Sequence, residues 1–225
     1  MAYEIGPGDA LVIVDPQNDF CPGGALAVAG GDEIMHPIAD LARRFRASGG
    51  LVVVTQDWHP KGHKSFASSH DGASPFGTTQ MPYGEQVLWP DHCVEGTAGA
   101  DFHPDLAGAL EAAHLIVRKG YNPEVDSYSA FFENDKATAT GLGGWLNEKG
   151  VKRCYFVGLA YDFCVAYSAL DAAERHGLEA VVLKDLTRAI AMPAGEGTTV
   201  DQAENGFRSA GVAIADSLAL PPVTS

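Results

Sequence analysis

The chain has 225 residues, enough for one α/β domain with a full hydrophobic core. With 46% hydrophobic and 20% charged residues, its composition is that of a folded globular protein and excludes an intrinsically disordered one. A formal net charge of -14 at pH 7 disfavours nucleic acid and anionic membrane as partners, but not an anionic small molecule in a pocket with its own field.

The first apolar run, Ala10 to Val14, reads as a buried strand. It is too short to span a membrane, and no basic segment precedes it. Neither a membrane anchor nor a signal peptide is expected, and the expected compartment is the cytoplasm. Asp32 to Ser48 reads as a helix with Asp32 as N-cap and Gly49-Gly50 as its stop. Leu51 to Thr55 is the second strand. The stretch from Gln56 to Asp101 breaks the rhythm, being long and rich in His, Pro, Gly and Trp, and loops of that length in compact domains usually carry function. His114 to Val117 is the third strand, Ala137 to Lys149 a helix, and Arg153 to Val157 the fourth strand. Asp162 to His176 is a helix closed by Gly177, followed by the fifth strand, Glu179 to Leu183. Thr198 to Ser209 is helical, Val212 to Ile214 is a short sixth strand, and residues 221–225 form a frayed tail.

Apolar strands alternating with amphipathic helices predict a doubly wound, six-stranded parallel sheet with helices on both faces. One domain over 1–225 is expected, with the 56–101 segment as an insertion. Four cysteines, Cys21, Cys93, Cys154 and Cys164, are widely spread and form no CxxC pair, so free thiols are expected.

Ligands of open α/β sheets bind beyond the carboxyl ends of the strands. There the sequence sets Asp15 after strand one, Asp57-Trp58-His59 after strand two, Lys119 after strand three and Cys164 after strand four. Taken singly, Cys164 reads as a buried small hydrophobe, Lys119 as a solvated lysine and Asp15 as a turn cap. Their convergence on one edge points instead to a cysteine nucleophile. Cys164 falls in a first helical turn, where the helix end and a nearby ammonium lower a thiol pKa. Asp15 can take the thiol proton and return it to a leaving amine. Asp57, His59 and His92, with His63 as a further candidate, suit a divalent zinc, iron or manganese ion. No GxGxxG follows the first strand, which argues against a dinucleotide-dependent dehydrogenase.

Longer motifs narrow the field. Asp15-Pro16-Gln17-Asn18-Asp19-Phe20-Cys21-Pro22-Gly23-Gly24, Gln56-Asp57-Trp58-His59-Pro60, Trp89-Pro90-Asp91-His92-Cys93-Val94, Lys119-Gly120 with Asp126-Ser127-Tyr128-Ser129-Ala130-Phe131, and Gly158-Leu159-Ala160-Tyr161-Asp162-Phe163-Cys164-Val165 occur in order. This set resembles bacterial nicotinamidases, also called pyrazinamidases, of the isochorismatase-like cysteine hydrolases. The resemblance implies an Asp15-Lys119-Cys164 triad and one divalent metal, zinc first with iron or manganese as alternatives, held by Asp57, His59 and His92. In some members a histidine matching His63 joins them. It implies a cis peptide at Leu159-Ala160, an oxyanion hole from the Ala160 and Cys164 amides, and a ring pocket formed by Phe20, Trp89, Tyr128, Leu159 and Ala160. The implied reaction is hydrolysis of nicotinamide to nicotinate and ammonia through a thioester, with related pyridine and pyrazine carboxamides such as pyrazinamide also accepted, as part of NAD salvage. Phe163 departs from the smaller or polar residue of some relatives and bears on the pocket rim. The alternatives are another isochorismatase-like hydrolase acting on a different small amide, whose relatives generally lack the metal set, and a non-catalytic ligand- or metal-binding module on the same fold. The sequence leaves open whether the chain forms a homo-oligomer.

Overall fold

The computed structural model describes residues 4–217. In chain order these form β1 (Asp9–Val14), α1 (Met35–Ala47), β2 (Leu51–Asp57), β3 (Thr78–Met81), β4 (Gly84–Val87), α2 (Ala107–Ala112), β5 (Leu115–Lys119) and α3 (Leu142–Glu148). There follow β6 (Arg153–Leu159), α4 (Ala166–His176), β7 (Glu179–Arg188), β8 (Pro193–Ala194), β9 (Gly197–Thr198), α5 (Thr199–Ala210) and β10 (Ala213–Ala215). Six strands make one parallel sheet in the order β10-β7-β6-β1-β2-β5. The chain starts in the middle of the sheet, runs outward through β2 to β5, then returns beside β1 and runs outward again through β6 and β7 to β10. Right-handed crossovers then put the helices of the two halves on opposite faces. In keeping with this, α1 packs on α2 and α4 packs on α5. The two halves diverge between β1 and β6, and doubly wound sheets bind their ligands at the carboxyl end of such a divergence.

Burial explains why these runs are strands. Every residue of β1 is buried, as expected for a central strand covered on both faces. On α1, Met35, Ile38, Ala39, Leu41, Ala42 and Phe45 turn inward at helical spacing. Phe45 meets Tyr155 of β6 edge to face at 5.3 Å, and burying such a ring is worth roughly 1.5–3 kcal/mol.

Several elements differ from the sequence reading for identifiable reasons. The strands run further: β2 reaches Asp57, β5 reaches Lys119 and β6 reaches Leu159, because Gln56 and Asp57 pair in register with Arg118 and Lys119, and Val14 with Gly158. Polar residues thus sit on strand ends that hydrophobicity alone cannot extend. Asp32 does not cap α1. It lies inside a 3-10 turn, Asp32–Ile34, and Gly31 before it is already helical, whereas a capping residue is extended. The helix expected over 137–149 shrinks to Leu142–Glu148. The Asp135 carboxylate takes the Ala137 and Thr138 amides at 2.8 and 2.9 Å, and Gly141 adopts φ +96°. The segment 56–101 contains the β3-β4 hairpin and a 3-10 turn, Ala67–Ser69, rather than open loop throughout. The expected tail, 221–225, lies outside the described residues.

One glycine fixes the sheet at its divergence. Gly158 has φ +104°, and a Cβ there would lie 2.1 Å from the Val14 carbonyl oxygen. A methyl group can therefore enter only by parting β1 from β6, immediately before Asp15. Gly158→Ala is expected to cost roughly 3 kcal/mol or more in a denaturant titration.

Candidate active site

Four strand ends deliver one cluster. The Lys119 side chain, at the end of β5, is fully buried. Its Nζ lies 2.8 Å from Asp15 Oδ2, 2.5 Å from Asp57 Oδ1, 2.9 Å from the Ser127 carbonyl and 3.5 Å from Cys164 Sγ. An ammonium has three protons for these four acceptors, so the sulfur, as the weakest and most distant, competes least. Asp15 follows β1 in left-handed backbone, φ +44°. Its N–H donates to Thr55 Oγ1 at 3.0 Å, and that hydroxyl donates to Asp15 Oδ1 at 2.5 Å. Asp15 Oδ2 meets Lys119 off the hydrogen-bonding direction and keeps a lone pair unused. Carboxylate oxygens of Asp15 and Asp57 and the Cys164 sulfur fall within 4.8 Å of one another.

Burial pushes the Asp15 carboxyl up to about 6, Lys119 opposes the rise and Asp57 adds to it. Burial works against ionising Asp57, yet Lys119, His59 and His92 together hold its carboxyl well below the usual range. Burial disfavours the Lys119 ammonium, but Asp15 and Asp57 hold its pKa well above the ordinary value. Burial also drives the Cys164 thiol well above the ordinary range, and Lys119 offsets only part of this. The sequence reading expected a depressed thiol pKa. The structure corrects that: Cys164 is the fourth residue of a wide π-type turn, Tyr161–Val165, that precedes α4, and it is 7% exposed. Its proton needs an acceptor, and Asp15 stands within reach.

The second half of the cluster is an imidazole pair beside Asp57. The Nε2 atoms of His59 and His92 lie 3.6 and 3.9 Å from Asp57 Oδ2. Each ring spends its Nδ1 on a carbonyl, Gly120 at 2.8 Å for His59 and Pro90 at 2.8 Å for His92. That contact fixes the Nδ1-H tautomer and turns the Nε2 lone pair inward. Burial, with His59 alongside, takes His92 down to about 4 and keeps its imidazole neutral. Two Nε2 atoms turned inward and one ionised carboxylate, with all ligand atoms within 4.8 Å, make a donor set that fits a divalent cation, which would displace the proton that Asp57 favours on His59. His63 is placed differently. Its Nδ1 accepts from the Ser65 amide at 3.1 Å and its Nε2 faces the Asn122 carbonyl at 2.8 Å. Both nitrogens are occupied. His63 also belongs to a second close group with His59 and Asp126, but it joins the Asp57 set only by giving up a hydrogen bond.

A cleft opens over the cluster. Phe20, Leu26, Trp89, Tyr128, Phe163 and Ile190 wall it, with Cys164, Ala160, Asp57, His92 and Asp126 also lining it. Trp89 and Phe163 meet edge to face at 4.9 Å, and Tyr128 and Phe163 at 5.6 Å, which leaves a narrow slot suited to a flat ring. Phe163 is therefore a wall of the slot itself. The Leu159-Ala160 peptide is cis. Ala160 lines the cleft, whereas Leu159 does not. Its side chain is wholly buried and packs against Gly31.

Residues 9–212 match the isochorismatase domain. The chain belongs to the isochorismatase family. It is 53% identical over 183 residues to the nicotinamidase of Acinetobacter baylyi, an alignment spanning 81% of this chain and 82% of that protein. Its fold matches the structure of an Acinetobacter baumanii nicotinamidase and pyrazinamidase with a TM-score of 0.88 at 47% identity, covering 94% of this chain and 97% of the other. It also matches a Pyrococcus horikoshii pyrazinamidase in complex with zinc, with a TM-score of 0.73 at 37% identity, covering 93% and 99%. Within this family frame the structure adds residues to which the sequence reading gave no role. Gln17 clamps the Asp57 backbone on both sides: its Nε2 donates to the Asp57 carbonyl at 2.7 Å, and its Oε1 accepts the Asp57 amide at 2.8 Å. Asp19 accepts the Cys93 amide at 2.7 Å and so steadies the turn carrying His92. Both lie in the first motif, two and four residues past Asp15, and alternate spacing from a strand end was the available signal. Asp126 and Ile190 enter the cleft from loops with no such signal.

The donor geometry separates the histidines experimentally. His59→Ala and His92→Ala are expected to lower zinc affinity at least tenfold, the scale of losing well-held metal contacts. His63→Ala is expected to stay within about twofold of the parent, consistent with its occupied nitrogens. Metal analysis after dialysis against graded zinc buffers measures both.

Proposed function

We propose that this chain hydrolyses nicotinamide to nicotinate and ammonia, with Asp15, Lys119 and Cys164 as its catalytic set. The observation that carries the reading is the single buried ammonium of Lys119, which contacts a thiol, a proton-transfer carboxylate and the carboxylate of the imidazole set at once. The aromatic slot and the nicotinamidase relatives support a flat heteroaromatic amide as substrate, and pyrazinamide fits the same description. Asp57, His59 and His92 would hold a divalent metal, with zinc the first choice over iron or manganese. When bound, that ion supplies a Lewis-acid anchor for a ring nitrogen. The 56–101 segment provides all three of its ligands and acts as the metal-binding insertion of one domain. A cytoplasmic role in NAD salvage belongs to the same proposal. No helix of the described residues is long and apolar enough to cross a membrane.

The residues then divide the work. The unused Oδ2 lone pair of Asp15 accepts the Cys164 proton while Lys119 stabilises the sulfur anion that forms. The sulfur adds to the amide carbon, and the Ala160 and Cys164 amides hold the resulting oxyanion. Asp15 returns its proton to the amide nitrogen, the C–N bond breaks, ammonia leaves and a thioester remains. Asp15, again ionised, takes a proton from water as its oxygen adds to the thioester carbon. The C–S bond breaks, nicotinate is released and the thiol regains its proton.

Two outcomes are expected in an ammonia-release assay with nicotinamide. Cys164→Ala and Asp15→Asn each lower kcat by at least about a thousandfold, as removal of a member of a cooperating set does. In the parent, kcat/KM falls as pH drops through about 6, because Asp15 must be ionised to accept the thiol proton and its carboxyl is raised, not lowered. An acid limb near the ordinary carboxylate range would contradict that assignment.

A further inference from the structure

Asp162 sits two residues before Cys164, is 4% exposed and plays no part in the chemistry above. Its side chain crosses to the connection between β7 and α5. Oδ1 accepts the Ile190 amide at 3.0 Å, while Oδ2 accepts the Ala191 amide at 2.8 Å and the Thr199 hydroxyl at 2.5 Å. Thr199 carries the contact onward. Its Oγ1 accepts the Met192 amide at 3.0 Å, and its own amide donates to the Met192 carbonyl at 2.9 Å. Residues 189–199 thus form a strap, closed on itself by the short β8-β9 pairing and fastened to the protein through one carboxylate. The strap is otherwise half-buried or exposed; Ala189, Ile190 and Met192 pack against the core, and the Asp162 carboxylate supplies its hydrogen-bonded fastening. Ala191 has φ +59°, a conformation that L residues rarely adopt without a fixed partner.

The strap matters because Ile190 lines the cleft that holds Cys164. In the Tyr161–Val165 turn that carries Asp162, the next residue, Phe163, lines the same cleft and Cys164 carries the sulfur. We propose that Asp162 is a positioning residue that fixes Ile190 relative to Phe163 and the sulfur, and so sets how large a ring substituent the slot accepts. Asp162 acts through the two amides and one hydroxyl it binds and touches no substrate. The inference rests on the nicotinamide reading for its choice of substrate, but the fastening of the strap does not.

The test compares the parent with Asp162→Asn, Thr199→Val and Ile190→Ala, each loaded with zinc. Hydrogen exchange is measured without substrate, and kinetics with nicotinamide and with nicotinamides methylated on the ring. An Asn in place of Asp162 turns an NH2 group toward donors, so the amides of residues 190 and 191 are expected to exchange roughly tenfold or more faster, with β1 and β6 unchanged. Thr199→Val removes one fastening and is expected to give a smaller change in the same amides. In kinetics, Asp162→Asn and Ile190→Ala should both shift the kcat/KM ratio toward methylated rings by at least about fivefold, mostly through KM. Faster exchange throughout α4 and the sheet would reduce Asp162 to a general stability residue and overturn the proposal. So would an Ile190→Ala variant with the parent's substrate ratio, or an Asp162→Asn variant that loses kcat equally for all rings. If the parent releases no ammonia from any of these amides, the substrate reading fails, while the exchange data still decide whether Asp162 fastens the strap.

Discussion

The site depends on burying one ammonium between two carboxylates. Burial disfavours the Lys119 ammonium, and it equally disfavours the Asp15 and Asp57 carboxylates. Together they remain charged, because each removes the others' uncompensated charge. The arrangement is asymmetric. Asp57, facing Lys119 and two imidazoles, is held ionised and could serve as a metal ligand. Asp15, with Lys119 off its hydrogen-bonding direction and a hydroxyl on its other oxygen, titrates near 6. Two carboxylates around one lysine are thereby given different protonation behaviour by environment alone, which suits the proposed tasks of carrying a proton at Asp15 and holding a cation at Asp57.

The fold supplies what this arrangement needs. Three of the four groups, Asp15, Asp57 and Lys119, sit on or just past the carboxyl ends of β1, β2 and β5, which are consecutive neighbours in the sheet. The fourth, Cys164, comes from the turn after β6, across the divergence of the two halves. Rigid strand ends hold charges more exactingly than loops can, and here they bring buried charges within hydrogen-bonding distance of one another. Gly158 permits the close approach of β1 and β6 just below Asp15, so a backbone constraint in the sheet bears directly on where the acid stands.

Much of this was legible in the sequence, and the physical reason is the sheet. Apolar runs mark buried parallel strands, and whatever polar residue follows each run lands on the ligand-binding edge. That logic gives Asp15, Asp57, Lys119 and Cys164 their common place without a structure. It understates the strands, because Gln56, Asp57, Arg118 and Lys119 pair in the ladder despite their polarity. It misplaces the thiol's resting state, because burial outweighs the lysine and the helix end at Cys164. The family resemblance places Leu159 in the slot, yet the wholly buried Leu159 side chain packs against Gly31 and does not line the cleft. Asp162 is the residue furthest from legibility. It lies inside a quoted motif, but its partners are 28 to 37 residues away along the chain, and nothing local announces them.

The central claim is that the Cys164 sulfur forms the bond to the substrate carbonyl while Asp15 and Lys119 manage its proton and charge. Rapid acid quenching of the zinc-loaded protein during turnover of nicotinamide, followed by peptide mass spectrometry, tests it most directly. The account predicts a nicotinoyl adduct on the peptide containing Cys164, present in the steady state and cleared when nicotinamide is exhausted. Turnover at the full rate with no adduct on that peptide, or with an adduct on Cys21 or Cys93 instead, would contradict it.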